Sequence, residues 1–178
     1  MSRRYLVMPR GINVGNRNRV PMADLRSRLT KAGYVDPVTI LQSGNVIVTS
    51  VCADVATLSS SIEKLMADEF GVKVPCLVRT AEQVEAVLEL NPLRSVADDG
   101  SRYLVNFLSE EPAAEAVRTL LEINCEPEVI YVKDSEVYVW TPEGVKAMRL
   151  SYSYLEKHFG LIATARNWNT VEKIVARF

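Results

Sequence analysis

The same order of sequence patterns occurs twice along this chain, and this repetition is the strongest constraint on its fold. Each half begins with a short apolar run and a helical pattern, followed by two β-rich runs around a turn. A second helical pattern, another apolar run and a trailing helical segment complete it. Tyr5-Leu-Val is echoed by Tyr103-Leu-Val, and Phe70-Gly71 by Phe159-Gly160.

The order β-α-β-β-α-β predicts an α+β protein made of two ferredoxin-like halves. Each half would be an antiparallel sheet with its helices packed on one face. The small, polar and acidic stretch 95–101 is the best linker in the chain. We therefore predict a first half over residues 1–94, a linker over 95–101 and a second half over 102–178. The sequence leaves open whether the two sheets lie edge to edge or face to face.

Local signals place the elements within each half. Gly33 and Gly71 are typical of helix C-termini, and Asp54 is a predicted N-cap. The remaining predictions are strands over 5–8, 72–78 and 161–165, hairpins over 38–49 and 129–140, a helix starting at Pro112, and a helix that includes Met148, Tyr152, Leu155 and Phe159.

Composition excludes several classes of protein. The chain has 178 residues and a net charge of -1, so any affinity for nucleic acid would have to come from a local basic patch. No signal peptide and no apolar run long enough to span a bilayer is found, which predicts a cytoplasmic protein with no membrane contact. Cys52, Cys76 and Cys125 are odd in number and far apart. They predict neither a disulfide framework nor a metal site, but small buried residues in a reducing compartment.

The segment after the first strand is the strongest candidate for a functional surface. It packs two glycines, three asparagines and three arginines into a short loop before the helix that opens near Met22. Gly11 and Gly15 let the backbone approach a ligand, and Arg10, Arg17 and Arg19 can pair with phosphate or carboxylate. The spacing matches neither a Walker loop nor GxGxxG. The alternative is a long loop held by asparagine hydrogen bonds, with its arginines in solvent.

Two further segments are weaker candidates. The turn Gln42-Ser43-Gly44-Asn45 is explained by turn geometry, and Ser43 lacks a nearby histidine to act as its base. In the segment Arg166-Asn-Trp-Asn169, Arg166 and Asn167 would be polar contacts at a pocket edge, with Trp168 as a stacking face. The alternative is that Asn167 or Asn169 caps the last helix and Trp168 packs.

Other chemistry-bearing residues favour structural roles. His158 is the only histidine and lies at a helix end, where its charge suits the helix dipole. The sequence has no catalytic triad and no clustered metal ligands. Tyr138 and Trp140 share one face of a predicted strand and offer a stacking platform, but the RNA-recognition signature is absent, which favours core packing.

Four motifs carry a resemblance to a known family. They are Tyr5-Leu-Val-Met-Pro-Arg-Gly-Ile-Asn-Val-Gly, Asn18-Arg-Val-Pro-Met-Ala-Asp-Leu, Leu41-Gln-Ser-Gly-Asn-Val and Thr164-Ala-Arg-Asn-Trp-Asn-Thr-Val. The chain resembles the bacterial domain-of-unknown-function family numbered 1697, over essentially its whole length. The resemblance implies a cytoplasmic bacterial protein with a duplicated α+β architecture, and no particular activity. Pro9 and Asn16-Arg17 depart from the family pattern.

These observations lead to one site and three hypotheses. We expect one ligand site formed by Arg10, Gly11, Asn13, Gly15, Arg19, Gln42, Ser43, Asn45, Arg166, Asn167 and Trp168. Its amides and guanidinium groups suit an anionic ligand, such as a phosphorylated small molecule, a nucleotide or nucleic acid, better than proton transfer. The alternatives are an enzyme acting on a phosphorylated substrate, and an interaction module that uses a sheet edge. No cofactor is predicted, and a homodimer is left open.

Overall fold

The chain folds into two compact units in a computed structural model that describes residues 2–52 and 54–178. One unit comprises residues up to Val87 together with Lys173–Phe178, and the other comprises Leu88–Glu172. The predicted division into 1–94, 95–101 and 102–178 stays a prediction. Across the described residues, no helix combines the length and the apolar character that crossing a membrane requires.

The elements form two series that have the same order along the chain. The first series is β1 (Arg3–Pro9), α1 (Met22–Lys31), β2 (Val35–Ile40), β3 (Asn45–Ser50), α2 (Val55–Phe70), β4 (Cys76–Thr80) and α3 (Ala81–Leu90). The second series is β5 (Tyr103–Leu108), α4 (Ala114–Leu121), β6 (Val129–Lys133), β7 (Glu136–Trp140), α5 (Tyr152–Phe159), β8 (Ala163–Asn167) and α6 (Trp168–Val175). The fold is therefore α+β.

Both sheets are four-stranded and antiparallel. Their strand orders are β2-β3-β1-β4 and β6-β7-β5-β8. The first strand of each series lies in the middle of its sheet, which matches the burial of Tyr5 to Pro9 in β1 and of every residue of β5. The outer strand β2 is interrupted by a register shift between Val35 and Val38, where Asp36 has a positive φ and Pro37 has no N–H group to donate.

Each unit has an apolar core between its sheet and its helices. In the first unit, β1 and β3 contribute Tyr5, Val7 and Val46, and α1 and α2 cover them with leucine, isoleucine and methionine side chains. In the second unit, Leu108 and Val137 of the sheet pack with Leu120 of α4 and Leu155 of α5. In each unit the helices therefore bury one face of the sheet.

Helix ends follow the signals in the sequence. Asp54 caps α2 by accepting hydrogen bonds from the backbone N–H groups of Ala56 and Thr57, and Gly71 ends it with a left-handed φ of 67°. The same φ occurs at Gly160 after α5. Thr80 and Gln83 form a reciprocal capping box at the start of α3.

Four predicted boundaries are wrong. The strand predicted over 72–78 is β4 at Cys76–Thr80, because Val72 N–H closes α2 on Met66 and Pro75 cannot donate to the ladder. The strand predicted over 161–165 is β8 at Ala163–Asn167, since its pairing with β5 starts at Leu108 and extends to Asn167.

The other two errors concern helices. Helix α4 starts at Ala114, two residues after Pro112, with Ala113 as its N-cap. Met148 lies outside α5, which starts after its N-cap Ser151. The expectation that all three cysteines are buried holds only for Cys76, because Cys52 and Cys125 are half-exposed.

Candidate functional site

The loop between β1 and α1 has an unusual backbone. Gly11 and Gly15 have φ values of 69° and 57°, and Asn13 and Asn18 have φ values of 54° and 49°. Glycine reaches this left-handed region without steric cost, and asparagine enters it more readily than most other residues. The four residues reverse the chain repeatedly within a few positions, which explains why the loop needs this composition.

Asn13 is the residue that holds the loop together. Its Nδ2 donates to the carbonyl of Val20 at 2.9 Å and to the carbonyl of Gln42 at 2.8 Å. Its Oδ1 accepts from Val20 N–H at 2.8 Å. The amide of Asn13 therefore joins the loop to the turn after β2, and its hydrogen-bonding groups are engaged by the protein itself.

A second asparagine and two buried side chains complete the loop. Asn18 Nδ2 donates to the Gly11 carbonyl at 3.1 Å, and the Asn13 backbone N–H donates to the Asn18 carbonyl at 3.0 Å. Ile12 and Val20 are buried in the core of the first unit. The loop is thus anchored by its apolar residues, while residues 14–19 are exposed.

The turn between β2 and β3 packs directly against this loop. A Cβ atom added at Gly44 would lie 2.3 Å from Cδ1 of Ile12, and Gly44 has a φ of 78°. Asn45 is fully buried, and its Nδ2 donates to the Ile40 carbonyl at 2.9 Å and to Ser43 Oγ at 3.2 Å. Gly44 permits the close approach, and Asn45 holds the turn in shape.

A pocket of about 370 Å³ lies between the loop and the turn. It is lined by Asn13, Gly15, Arg19, Val20, Pro21 and Gln42. Four of these, Asn13, Gly15, Arg19 and Gln42, are predicted site residues from two separate sequence segments. The volume is at the small end of the range of ligand pockets.

The pocket carries positive charge without a matching carboxylate. Arg17 and Arg19 are exposed, and neither forms an ion pair in the described part of the chain. The lining residues of the pocket include no acidic side chain. An arginine at such a pocket suits the forked recognition of a phosphate or carboxylate group.

Four other predicted residues lie near the pocket in the same unit but do not line it. Arg10 is half-buried, and its backbone N–H donates to the Pro75 carbonyl at 2.9 Å. Gly11 accepts from Asn18, while Ser43 and Asn45 belong to the turn. Their predicted contacts with a ligand stay predictions.

Arg166, Asn167 and Trp168 belong to the second unit. Arg166 lies within β8, where its Nη1 donates to Thr164 Oγ1 at 2.9 Å and to the Ala165 carbonyl at 2.7 Å. It is buried, and this burial lowers the pKa of Arg166 to about 10. The side chain therefore remains a cation at neutral pH.

The two residues after Arg166 serve the start of α6. Asn167 Oδ1 accepts from the N–H of Thr170 at 3.0 Å and from its hydroxyl at 2.8 Å, which makes Asn167 the cap. The Trp168 ring stacks on Tyr103 with centroids 4.7 Å apart and an angle of 10° between planes. Of the two alternatives for this segment, the described contacts match capping and packing.

The remaining candidates have structural surroundings. His158 Nε2 lies 2.7 Å from the Ala116 carbonyl, so it donates there and joins α5 to α4. Tyr138 and Trp140 are buried, as expected of core residues. Within the described residues, no three His, Cys, Asp or Glu side chains lie close enough together to hold a metal ion.

Sequence reasoning missed two lining residues and one neighbouring arginine. Val20 and Pro21 line the pocket, and Arg26 of α1 donates from Nη1 to Thr39 Oγ1. Thr39 lies three residues before Gln42, so Arg26 contacts the strand that leads to the pocket. The clustering of arginines on both sides of Pro21 was the signal that could have extended the predicted site.

One comparison with known proteins identifies a family, and none of them names an activity. The sequence profile of a family described as "Protein of unknown function (DUF1697)" matches residues 2–138. The solved structure of the conserved bacterial protein SP0830 from Streptococcus pneumoniae is similar, with 26% sequence identity and a TM-score of 0.78 over 99% of this chain and 98% of that chain. No curated protein matches the sequence. The segment from Arg166 to Asn169 lies outside the matched residues.

Proposed function

The chain belongs to the DUF1697 family of proteins of unknown function, and from that premise we propose that it binds a phosphorylated ligand in the pocket between the first loop and the turn after β2. The ligand's phosphate would contact Arg19, and its polar groups would contact the side chain of Gln42. Asn13 acts by holding the loop, since its amide is engaged by Val20 and Gln42.

One observation carries this proposal. The pocket joins Arg19 and Gln42, which are 23 positions apart in sequence, around a loop that hydrogen bonds of Asn13 fix in place. Such an ordered loop loses little conformational entropy when a ligand binds. Arg19 has no carboxylate partner among the described residues, so binding a phosphate replaces no existing ion pair.

A thermal-shift screen tests the proposal. The panel holds inorganic phosphate, nucleoside monophosphates, sugar phosphates and phosphorylated cofactors. A ligand at a hundredfold excess over its Kd stabilises the native state by about 2.7 kcal/mol. For a protein of this size, such stabilisation raises Tm by about 5–10 °C.

Two matched variants locate the site. Arg19→Ala should abolish the shift, because Arg19 lines the pocket. Arg17→Ala is the control, since Arg17 is an exposed arginine of the same loop that does not line the pocket. Each variant is compared with its own ligand-free Tm. A hit that survives Arg19→Ala would contradict the assignment. Arg10→Ala and Arg166→Ala test the two further predicted contacts.

The two alternative functions have less support. An enzyme needs a general base, and the lining residues include no His, Cys, Asp or Glu. Ser43 Oγ accepts a hydrogen bond from Asn45 at 3.2 Å, which does not activate it. Strand addition at β2 is opposed by Pro37 and by the register shift beside it. A homodimer and a cytoplasmic location stay predictions.

We also propose that the two units are copies of one ferredoxin-like unit. Both have the element order β-α-β-β-α-β, and the equivalent strands are adjacent in both sheets. In addition, Arg79 and Arg166 occupy matching positions on the last strand of each sheet, opposite Leu6 and Val105. These correspondences support an origin by duplication.

A further inference from the structure

Positive charge is concentrated at the start of this chain. Residues 1–33 contain eight lysines and arginines and a single acidic residue, Asp24, although the whole chain has a net charge of -1. These residues therefore form a basic segment within an otherwise acidic protein. A local field of this kind attracts polyanions that the net charge alone would not.

Three arginines of this region lie on or next to the segments that form the pocket. Arg19 lines it, and Arg17 lies two residues earlier on the exposed part of the loop. Arg26 donates to Thr39, and the three residues from Thr39 to Gln42 span at most about 10 Å. Arg26 of α1 thus contacts the strand that leads to Gln42.

These three arginines form no ion pair with a carboxylate in the part of the chain that the structure describes. None of the ion pairs found among the described residues includes Arg17, Arg19 or Arg26. Arg28, by contrast, pairs with Glu69 of α2 at 3.1 Å. Asp24 is two residues from Arg26 and therefore projects from a different side of α1. The positive charge around the pocket is available to an external anion.

We propose that this surface binds single-stranded nucleic acid, which deepens the proposed function and rests on it. One nucleotide enters the pocket with its phosphate on Arg19, and neighbouring phosphates contact Arg17 and Arg26. A monomeric ligand satisfies one of the three guanidinium groups, whereas a strand with regularly spaced phosphates satisfies all three.

The shape of the site favours a single strand. A nucleotide reaches a concave pocket only when it is splayed away from its neighbours, which a single strand permits and a duplex resists. The lining residues include no aromatic side chain on which a base would stack. Recognition therefore goes mainly through the backbone phosphates and tolerates different sequences.

The experiment compares a monomer with a strand. Binding of uridine 5′-monophosphate is measured by calorimetry, and binding of a labelled uridylate ten-mer, a thymidylate ten-mer and a ten-base-pair duplex by fluorescence anisotropy. Three phosphate contacts predict that ten-mer affinity falls by about twentyfold between 50 and 200 mM salt, and two contacts predict about sevenfold.

The variants then separate the two ligand classes. Arg17→Ala and Arg26→Ala should each reduce the salt effect on the ten-mer to about sevenfold, and leave monophosphate binding unchanged. Arg19→Ala should weaken binding of both the monomer and the ten-mer. Arg28→Ala is the matched control on α1, since Arg28 is already paired with Glu69. It should change neither measurement.

The possible results point to different conclusions. Absence of ten-mer binding would overturn this inference, whereas the proposed function is overturned only if every ligand of the thermal-shift panel also fails to bind. Monomer binding that depends on Arg19, without tighter ten-mer binding, would overturn this inference and leave the proposed function standing. Duplex binding equal to single-strand binding would overturn the assignment to a single strand.

Discussion

Asn106 is a buried polar residue in the apolar core of the second unit. Its Nδ2 donates to the Val137 carbonyl at 3.2 Å, but its Oδ1 has no hydrogen-bond partner among the described residues. Val7 holds the corresponding place on the central strand of the first sheet, between Val46 and Val78. An unsatisfied buried amide oxygen is destabilising, and a branched apolar side chain suits a central strand.

We expect Asn106→Val to raise the free energy of unfolding by about 1 kcal/mol, since it removes an unsatisfied polar atom. Urea denaturation followed by circular dichroism measures the change. Val7→Asn is the reciprocal variant and should lower the stability of the first unit. A loss of stability in Asn106→Val would mean that its Oδ1 has a partner in solution, such as a buried water.

At the residue scale, the sequence indicated which residues line the pocket better than what each of them does there. Gly15, Arg19 and Gln42 could be selected because glycine, arginine and amide side chains are typical of ligand loops. The role of Asn13 could not be predicted, because it depends on a hydrogen bond to Gln42, which is 29 positions away. For the same reason the sequence could not show that the buried amide of Asn45 holds the turn.

At the scale of elements, the cap of α2 couples stability to pH. The hydroxyl and the backbone N–H of Thr57 donate to the Asp54 carboxylate and hold its pKa below the ordinary value for aspartate. The folded state therefore stabilises the charged carboxylate more than the unfolded state does. Its stabilisation is present above the ordinary pKa and is lost as pH falls through the lowered value.

We expect Asp54→Asn to lower stability near neutral pH, where the wild-type carboxylate is charged. The difference should shrink as pH falls below the ordinary aspartate pKa and vanish below the lowered one, because asparagine still caps a helix. Urea titrations from pH 7 to pH 2.5 test this. Asp98→Asn, at an exposed position before β5, is the control for the loss of one surface charge. A constant difference would contradict the role of charge.

Element boundaries also show where sequence patterns mislead. Met148 has helical spacing to Tyr152, but residues 141–150 form turns. The carboxylate of Glu128 accepts hydrogen bonds from the N–H groups of Arg149 at 2.5 Å and Leu150 at 3.0 Å, which holds this backbone in place before α5. Because Glu128 lies 21 residues earlier, no local pattern reports it. Capping residues within three positions of a helix, such as Asp54, were predictable.

The Tyr-Leu-Val motif, which occurs twice, shows that matching sequence does not guarantee matching positions in a sheet. Tyr5-Leu-Val and Tyr103-Leu-Val suggested matching strands, and both segments are central strands. Tyr5 faces the helix-covered core, but Tyr103 lies on the opposite face from Leu108, which belongs to the core of the second unit. The two strands therefore match with an offset of one residue. Since side chains alternate along a strand, sequence identity alone cannot fix the register.

At the scale of the whole molecule, the first unit is assembled from distant parts of the sequence. Residues Lys173–Phe178 belong to it, although they follow the second series of elements. Arg4 on β1 donates from Nη1 to the Phe178 carbonyl at 2.5 Å, and its guanidinium carbon lies 5.8 Å from the centre of the Phe178 ring. A charged hydrogen bond and a cation–π contact thus attach this segment to β1.

We expect Arg4→Met to lower the free energy of unfolding by about 1 kcal/mol, since it removes both contacts while keeping an apolar stem. Hydrogen exchange should increase in residues 173–178 and in β1, and remain unchanged in β5 of the other unit. Arg3→Met is the matched control because Arg3 is an exposed neighbour on the same strand, and its effect should stay below about 0.5 kcal/mol. Equal exchange in wild type and Arg4→Met at residues 173–178 would show that apolar packing alone holds this segment. Arg4 would then serve only to keep the end of strand β1 in contact with water.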